Sequence, residues 1–256
     1  MCILKNTTVK IYAKTCLDGK NFRAFTVWIL PYISMLGSAV LCYLLYIQEK
    51  NDLRQCLLCF GGQVLMMCAG LVLCAALRQG REAWYSCAAE GREPSGWQIF
   101  YWLRPGKSAR AFSVRFLIAV RKIGWFSLLL FPGTALFGTE IFRVYRGYIL
   151  NVADAILLCA SALCIISGMV FSAILCEKYS LVFQLLSVYP QSKTLDLLKK
   201  SAELTEGKCM RIFVFRLSYL PWMLTCAAGI PMFYAVPYYY VGTACLRRTL
   251  LPNKTR

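Results

Sequence analysis

The chain has 256 residues, of which 59% are hydrophobic and only 16% are charged, and its formal net charge is +17. Soluble domains carry about 25% charged and about 45–50% apolar residues, so this balance excludes an ordinary soluble enzyme. The sequence contains no histidine, which excludes the catalytic triads, zinc-bound water and haem sites that depend on an imidazole. We therefore predict no catalytic residue, no metal site and no cofactor.

Uncharged apolar stretches indicate a polytopic membrane protein. Residues 26–47 and 56–77 contain no Asp, Glu, Lys or Arg, and apolar stretches of about 18 or more residues are typical of membrane-spanning helices. In chain order, the predicted spans are 26–47, 56–77, 117–139, 149–175, 210–228 and 231–246. The start of the third span stays open, because Arg115, Arg121 and Lys122 interrupt it. The predicted fold class is all-α: one integral membrane domain over residues 1–256, with about six transmembrane helices paired as three hairpins.

The basic residues are distributed unevenly between the two ends of these spans. Of the 29 Lys and Arg residues, 24 fall in the two terminal segments and in the loops on the same side, and 4 fall in the opposite loops. Basic flanks face the cytoplasm, so both termini are predicted to be cytoplasmic. We expect a multi-pass protein of the bacterial cytoplasmic membrane. Its expected partners are membrane lipids and another membrane protein, with no nucleic acid, because topology accounts for the charge.

A heptapeptide pattern, G-K-x-x-R-x-F, occurs at the cytoplasmic entry of each odd-numbered span, beginning at Gly19, Gly106 and Gly207. Glycine is suited to end a preceding helix. Lysine and arginine three residues apart then share one face of the next helix, where they can reach lipid phosphates or a docking partner. The candidate residues are Lys20, Arg23, Lys107, Arg110, Lys208 and Arg211.

Short amphipathic segments precede the three motifs, at 7–17, 97–103 and 192–205. We interpret them as cytoplasmic interfacial helices. Each would form one parallel repeat with the hairpin that follows it. The alternative stays open that the motifs reflect only the general preference of membrane helices for Lys, Arg and aromatic residues at their inner ends.

The carboxy-terminal part carries a family resemblance. The segments concerned are Glu177–Pro190, Leu195–Ser201, Leu204–Lys208, Leu217–Trp222, Gly229–Ile230 and Val236–Tyr238. They resemble the bacterial integral membrane proteins grouped as domain of unknown function 975, and more distantly they are similar to the membrane domain attached to some glycerophosphodiesterases. The match covers 165–245 and departs from the family pattern at Ser167 and Pro231, each of which replaces a characteristic residue. It implies a fold and no particular reaction.

Two other features were candidates for function. Asp154 is the only carboxylate inside a predicted span, and acids within membranes are often functional. We favour an interfacial ion pair with Arg143 or Arg146, both in the adjoining loop. We interpret most of the fourteen cysteines as small apolar residues. Cys56 and Cys59 have the C-x-x-C spacing, so a thiol pair or a disulfide between them remains an alternative.

The sequence favours a non-enzymatic role. The predicted function is a scaffold or accessory subunit of a membrane complex, supported by the small loops and by the interfacial helices suited to docking. The alternative is a transporter or binder of lipids or small amphiphiles, supported by the repeated hairpins and by prolines within the spans.

Overall fold

The computed structural model describes residues 6–47, 53–148 and 151–251, and these are predominantly helical, without a strand. The all-α prediction is therefore confirmed. The α-helices are α1 (Asn6–Leu17), α2 (Asn21–Ile47), α3 (Leu53–Ala89), α4 (Lys107–Tyr145), α5 (Val152–Cys176), α6 (Val182–Val188), α7 (Thr194–Thr205), α8 (Cys209–Leu217), α9 (Leu220–Thr225) and α10 (Met232–Leu250). Segments of 3₁₀-helix lie at Gly96–Leu103, Glu177–Tyr179 and Cys226–Ala228.

Among the described residues, three stretches are long and apolar enough to cross a membrane: Asn21–Leu44, Cys59–Ala89 and Val152–Val188. They correspond to the first, second and fourth predicted spans. The third predicted span lies inside α4, which has 39 residues. At 1.5 Å per residue α4 is about 58 Å long, so it extends well beyond a hydrocarbon core of about 30 Å.

The fifth predicted span, 210–228, is not one continuous helix. The chain forms α8, a break at Ser218 and Tyr219, and then α9. Pro221 occupies the first turn of α9, where the missing N–H of proline costs nothing, and a helix running through that position would lose a hydrogen bond. At 9 and 6 residues, α8 and α9 are each too short to cross a bilayer, which takes about 20 residues.

Three helical pairs are arranged in a ring. The pairs are α2 with α3, α4 with α5, and the α8–α9 segment with α10. Neighbouring pairs meet where α3 packs against α4, where α5 packs against α8, and where α10 packs against α2. The short segment before each pair lies on the outgoing arm of the pair before it: Gly96–Leu103 on α3, α7 on Glu177–Tyr179 and α6, and α1 on α10. Since α1 packs on the last helix, the ring is closed.

The same burial register follows each motif. Gly19, Gly106 and Gly207 all adopt a positive φ, of 70°, 79° and 68°, which glycine adopts without the strain a side chain would bring. Positions five, eight and twelve after the glycine are buried in each copy: Ala24, Val27 and Pro31; Ala111, Val114 and Ile118; Ile212, Phe215 and Tyr219. A shared preference for basic and aromatic residues does not account for a common register of buried positions, so this pattern favours a tandem repeat.

The interfacial segments follow the repeat only in part. Helices α1 and α7 bury the residues ten, six and two positions before their glycines: Val9, Ala13 and Leu17; Leu197, Ser201 and Thr205. The Gly96–Leu103 segment instead buries Ile99 and Trp102. Side chains three residues apart share one face of a 3₁₀-helix, so this segment presents a different edge to α3.

The packed core lies at the end of the ring that carries the motifs. Its fully buried large side chains include Trp84, Tyr85, Phe215 and Tyr219. Away from this end, α2, α4 and α5 expose apolar side chains, such as Leu36 at 67%, Phe131 at 70% and Leu163 at 67%. Apolar surface on this scale is not tolerated by soluble monomers but suits a lipid environment.

Alanine substitutions at two helix glycines test this packing, because one should lower the free energy of unfolding and the other should raise it. A Cβ at Gly80 would collide with the backbone of Ile99, whereas a Cβ at Gly124 meets nothing within 4 Å. We expect Gly80→Ala to lower the free energy of unfolding by about 1–3 kcal/mol, because the Gly96–Leu103 segment must move away. We expect Gly124→Ala to raise it by up to about 1 kcal/mol through helix propensity. Thermal unfolding in micelles of an uncharged detergent checks both, and equal effects would contradict the close approach.

Candidate functional site

A cavity of about 620 Å³ opens between the carboxy-terminal part of α3, the Gly96–Leu103 segment, α6 and the end of α10. Ligand pockets fall in the range of about 300–1,000 Å³. All four elements come from the motif-bearing end of the ring, so the cavity lies beside the packed core. We refer to it as the end pocket.

The floor of the end pocket is polar and hydrogen-bonded. Gln184 is 4% exposed, and its Nε2 donates to Ser86 Oγ at 3.2 Å and to the carbonyl of Ala244 at 3.4 Å. Its Oε1 is buried without a hydrogen-bond partner in the described part of the chain. Ser187 Oγ accepts from Gln79 Nε2 at 3.1 Å. The floor therefore offers a fixed acceptor and hydroxyl groups to a polar ligand.

One wall is aromatic. Trp97, Phe100 and Tyr101 line the cavity and are 80%, 40% and 43% exposed. The other face of the same segment anchors it, because Ile99 and Trp102 are buried against the core. The aromatic side chains thus stand on a fixed element while their rings stay accessible. Such amphipathic surfaces favour ligands that have both apolar and polar parts.

The rim carries an excess of positive charge. Arg92, Arg104 and Arg248 line the pocket together with Glu90. Arg92 pairs with Glu90 at 3.1 Å, and Arg248 donates to the carbonyl of Ala89 at 3.1 Å. With three cations and one carboxylate, the rim attracts anionic groups.

Beneath the floor lies a group of buried charges. Glu82 Oε2 accepts from Arg247 Nη1 at 2.9 Å, and Arg81 Nη2 lies 3.7 Å from Glu82 Oε1. Arg115, from α4, is a third electrostatic neighbour of Glu82. Burial lowers the pKa of Arg115 to about 10, so its side chain remains protonated at neutral pH. Ser86 connects this group to the pocket, since its Oγ donates to the carbonyl of Glu82 at 2.8 Å.

The residue nine positions after each motif glycine bridges to the pair before it in the ring. Arg216 Nη1 lies 2.6 Å from Glu177 Oε1, at the end of α5. Arg115 Nε donates to the carbonyl of Ala75 in α3 at 3.2 Å. Trp28, at the equivalent position, interacts with the side chain of Tyr240 in α10. Equivalent positions of the repeat therefore connect each pair of helices to its neighbour.

The motif cations predicted to bind lipid phosphates or a partner lie at three separate helix starts. Lys107 Nζ lies 3.5 Å from the centre of the Tyr101 ring. Arg110 donates to the carbonyl of Ser192 and to Gln191 Oε1. Both therefore contact the protein itself, and Lys107 supports the aromatic wall of the end pocket.

The other two motif pairs are less enclosed. Arg23 is exposed and lines a shallow cavity with Trp84 and Ile99. Lys20, Lys208 and Arg211 are half-buried. A role for these residues in docking or lipid binding stays a prediction.

Asp154 has a structural explanation. Its Oδ2 accepts from the backbone N–H of Asn151 at 2.9 Å at the start of α5, and its Oδ1 lies 3.7 Å from Arg143 Nη1. Arg143 also pairs with Glu140 at 3.2 Å. Glu140 is 5% exposed; it escaped the sequence prediction because it follows directly on the predicted third span.

The cysteines show no disulfide among the described residues, where Cys59 is a free thiol. The side chain of Cys56 lies outside the described residues, so the C-x-x-C question stays open. Within the described ranges, no group of His, Cys, Asp and Glu side chains is arranged to hold a metal ion.

The sequence reasoning missed Gln184 and the buried charges of α3. The second predicted span ends at residue 77, because Arg78 and Arg81 end the apolar stretch. A signal was present in the chain, since Trp84, Tyr85, Ala88 and Ala89 continue the helical spacing of apolar residues. That spacing predicts a helix that continues past the arginines and is buried on one face.

Comparisons with known proteins identify no relative. No family model matches the sequence, and neither a curated protein nor a solved structure matches it.

A double-mutant cycle tests the bridge between Arg216 and Glu177. Their side chains are 25% and 7% exposed, so removing either partner leaves a largely buried charge. We expect Arg216→Gln and Glu177→Gln each to lower the free energy of unfolding by about 3 kcal/mol. The double variant should lower the free energy of unfolding by at least about 1 kcal/mol less than the sum of the two single effects.

The exposed Arg92–Glu90 pair provides the matched control, because Arg92 is 70% exposed. Its coupling should stay below about 1 kcal/mol. Thermal unfolding in detergent micelles supplies the data, and equal coupling in the two cycles would contradict the bridge.

A spectroscopic titration tests the placement of Lys107. The hydrogen bond and positive charge of Lys107 lower the pKa of Tyr101, because they stabilise the tyrosinate. Lys107→Met should therefore shift the Tyr101 titration to higher pH. Ultraviolet absorbance, with Tyr101→Phe subtracted to isolate this one ring, measures the shift. Arg110→Met removes a charge from the same motif and should leave the titration unchanged.

Proposed function

We propose that this protein is a non-enzymatic, multi-pass membrane protein that binds an anionic amphiphile in the end pocket. The observation that carries the proposal is the division of the pocket lining into an aromatic wall, Trp97 to Tyr101, and a polar floor built on Gln184. A ligand with an apolar part and a polar headgroup matches both surfaces. The excess of arginine at the rim favours a negative headgroup.

The proposed topology brings the pocket to the cytoplasmic surface. The apolar part of α3, Cys59–Leu77, is about 28 Å long and fills a hydrocarbon core of about 30 Å. Residues 78–89 then extend beyond the core on the side with the basic excess. By the positive-inside rule, this side and both termini are cytoplasmic. The amphiphile would enter from the inner leaflet of a bacterial cytoplasmic membrane.

The sequence supports two further proposals, on kinship and on the number of spans. The helix α7 and the Gly229–Ile230 segment fall in the part of the chain that resembles the domain of unknown function 975 family, and we propose a distant kinship on that resemblance. We also propose that the chain crosses the membrane about six times. The fifth of these spans has the least structural support, because it is broken between α8 and α9.

A scaffold or accessory role is the second candidate. The observation that favours it is the exposed apolar face of α1, where Ile11 is 64% and Tyr12 is 44% exposed. This helix lies at the motif-bearing end, outside the predicted spans. A partner membrane protein would cover that face.

The test compares two single-chain lipids of equal chain length, anionic lysophosphatidylglycerol and zwitterionic lysophosphatidylethanolamine. The full-length protein is held in an uncharged detergent, and binding is followed by native mass spectrometry. We expect one anionic lipid per chain, with at least a tenfold preference over the zwitterionic one. Arg248→Gln should reduce that preference severalfold, because it removes a rim charge.

Arg146→Gln is the control, since it removes the same charge from an exposed position at the other end of α4. Equal binding of the two lipids, or equal losses in the two variants, would overturn the proposal. A protein that stays bound at fixed stoichiometry after gentle extraction, with no amphiphile retained, would instead support the scaffold role.

A further inference from the structure

A second site lies beneath the end pocket, in the group we call the arginine cluster: Arg78, Arg81, Arg115 and Arg247. Its members come from all three helical pairs, with Arg78 and Arg81 on α3, Arg115 on α4 and Arg247 on α10. Arg81 is 5% exposed and Arg247 is 9% exposed. The cluster is therefore interior, and it lies where the pairs meet.

The cluster has more positive charge than its carboxylate balances. Glu82 interacts with Arg81, Arg115 and Arg247, and the electrostatic neighbours of Arg115 include Arg78 and Arg81 as well as Glu82. Buried charges are stable only when they are paired and hydrogen-bonded. A single carboxylate cannot pair with this number of guanidinium groups.

The hydrogen-bonding groups of the cluster are also incomplete. In the described part of the chain, five buried guanidinium nitrogens make no hydrogen bond: Nε of Arg78, Arg81 and Arg247, Nη1 of Arg81 and Nη2 of Arg115. A buried donor without a partner costs about 1–3 kcal/mol, and more when it is charged. These five nitrogens are strong donors without an acceptor in the described part of the chain, and Arg81 also interacts with the side chain of Tyr32.

Aromatic rings cover the flat faces of these guanidinium groups. Arg81 lies 4.5 Å from the centre of the Tyr240 ring, Arg115 lies 4.2 Å from that of Phe183, and Arg78 lies 5.3 Å from that of Tyr32. Such contacts stabilise a cation through its face. They do not satisfy the N–H groups, which point outward along the edge of the guanidinium plane.

We propose that the arginine cluster binds a phosphate group, either as inorganic phosphate or as a phosphate monoester headgroup. A phosphate supplies the two missing elements together, negative charge and several acceptor oxygens, and the planar fork of arginine suits it. Arg78 and Arg115 are half-buried and mark the accessible flank. A phosphate here connects the three helical pairs, so it stabilises the closed ring. The observations that support this site do not depend on the ligand proposed for the end pocket.

The test is thermal unfolding of the full-length protein in an uncharged detergent, with sodium phosphate compared to sodium chloride at equal ionic strength. We expect saturating phosphate to raise Tm by at least about 3 °C. In Arg81→Gln the phosphate response should disappear, while Tm without phosphate should rise, because an unbalanced charge is removed. The absence of a phosphate-specific shift in the wild type would overturn the proposal.

Matched variants separate this site from its surroundings. Arg121→Gln removes an exposed charge from the same helix as Arg115 and should keep the full response, as should the pocket variant Arg248→Gln. If Arg81→Gln does not fold, Arg78→Gln at the half-buried flank takes its place. An equal phosphate response in the cluster variant and in Arg121→Gln would show that the arginines are only structural.

A third titration with lysophosphatidate identifies the source of the phosphate. A larger shift with this lipid at concentrations where inorganic phosphate has no effect indicates a lipid headgroup at the cluster when it is lost in Arg81→Gln and kept in Arg248→Gln. A shift from inorganic phosphate to which the lipid adds nothing indicates the free anion.

Discussion

The ion pair between Glu82 and Arg247 connects the first helical pair of the ring to the last. It joins α3 of the first helical pair to α10 of the last, across 165 residues of sequence, with an N–O distance of 2.9 Å and both side chains about nine-tenths buried. Breaking such a pair by removing one partner costs about 3–5 kcal/mol, because the other charge is left buried. This ion pair therefore stabilises the closed ring, and α1 packs on the same helix, α10.

The position of this pair explains why the core lies at one end of the molecule. In the apolar parts of the helices, lipid solvates side chains as well as a protein core does, so hydrophobic burial gives little reason for tight packing. Beyond the hydrocarbon, water returns and burial becomes favourable again. The sequence places its small and aromatic core residues there, as at Ala24, Ala111 and Tyr85, where the Tyr85 hydroxyl donates to the Ala24 carbonyl at 2.7 Å.

Local signals predicted much of the fold, and the remainder depends on distant contacts. The prediction of a helix over 7–17 is confirmed, since α1 is Asn6–Leu17. Gly19 and Gly207 follow the ends of α1 and α7 as the motif predicts, whereas Gly106 caps the start of α4. Hydropathy did not predict the break in the fifth span. Residues 210–228 are apolar enough for a span, but Pro221 starts a new helix. The sequence predicted little of the candidate site. The roles of Gln184 and Arg247 depend on residues distant in the sequence, and no local pattern shows which residues these are.

The end pocket and the arginine cluster share a wall, and this has a thermodynamic consequence. Gln184 forms the pocket floor and donates to Ser86, which in turn donates to the carbonyl of Glu82, the carboxylate at the centre of the cluster. A group bound on one side of this chain of hydrogen bonds changes the positions available to the groups on the other. Coupling between two sites is reciprocal. A phosphate at the cluster and an amphiphile in the end pocket would therefore change each other's affinity by the same factor.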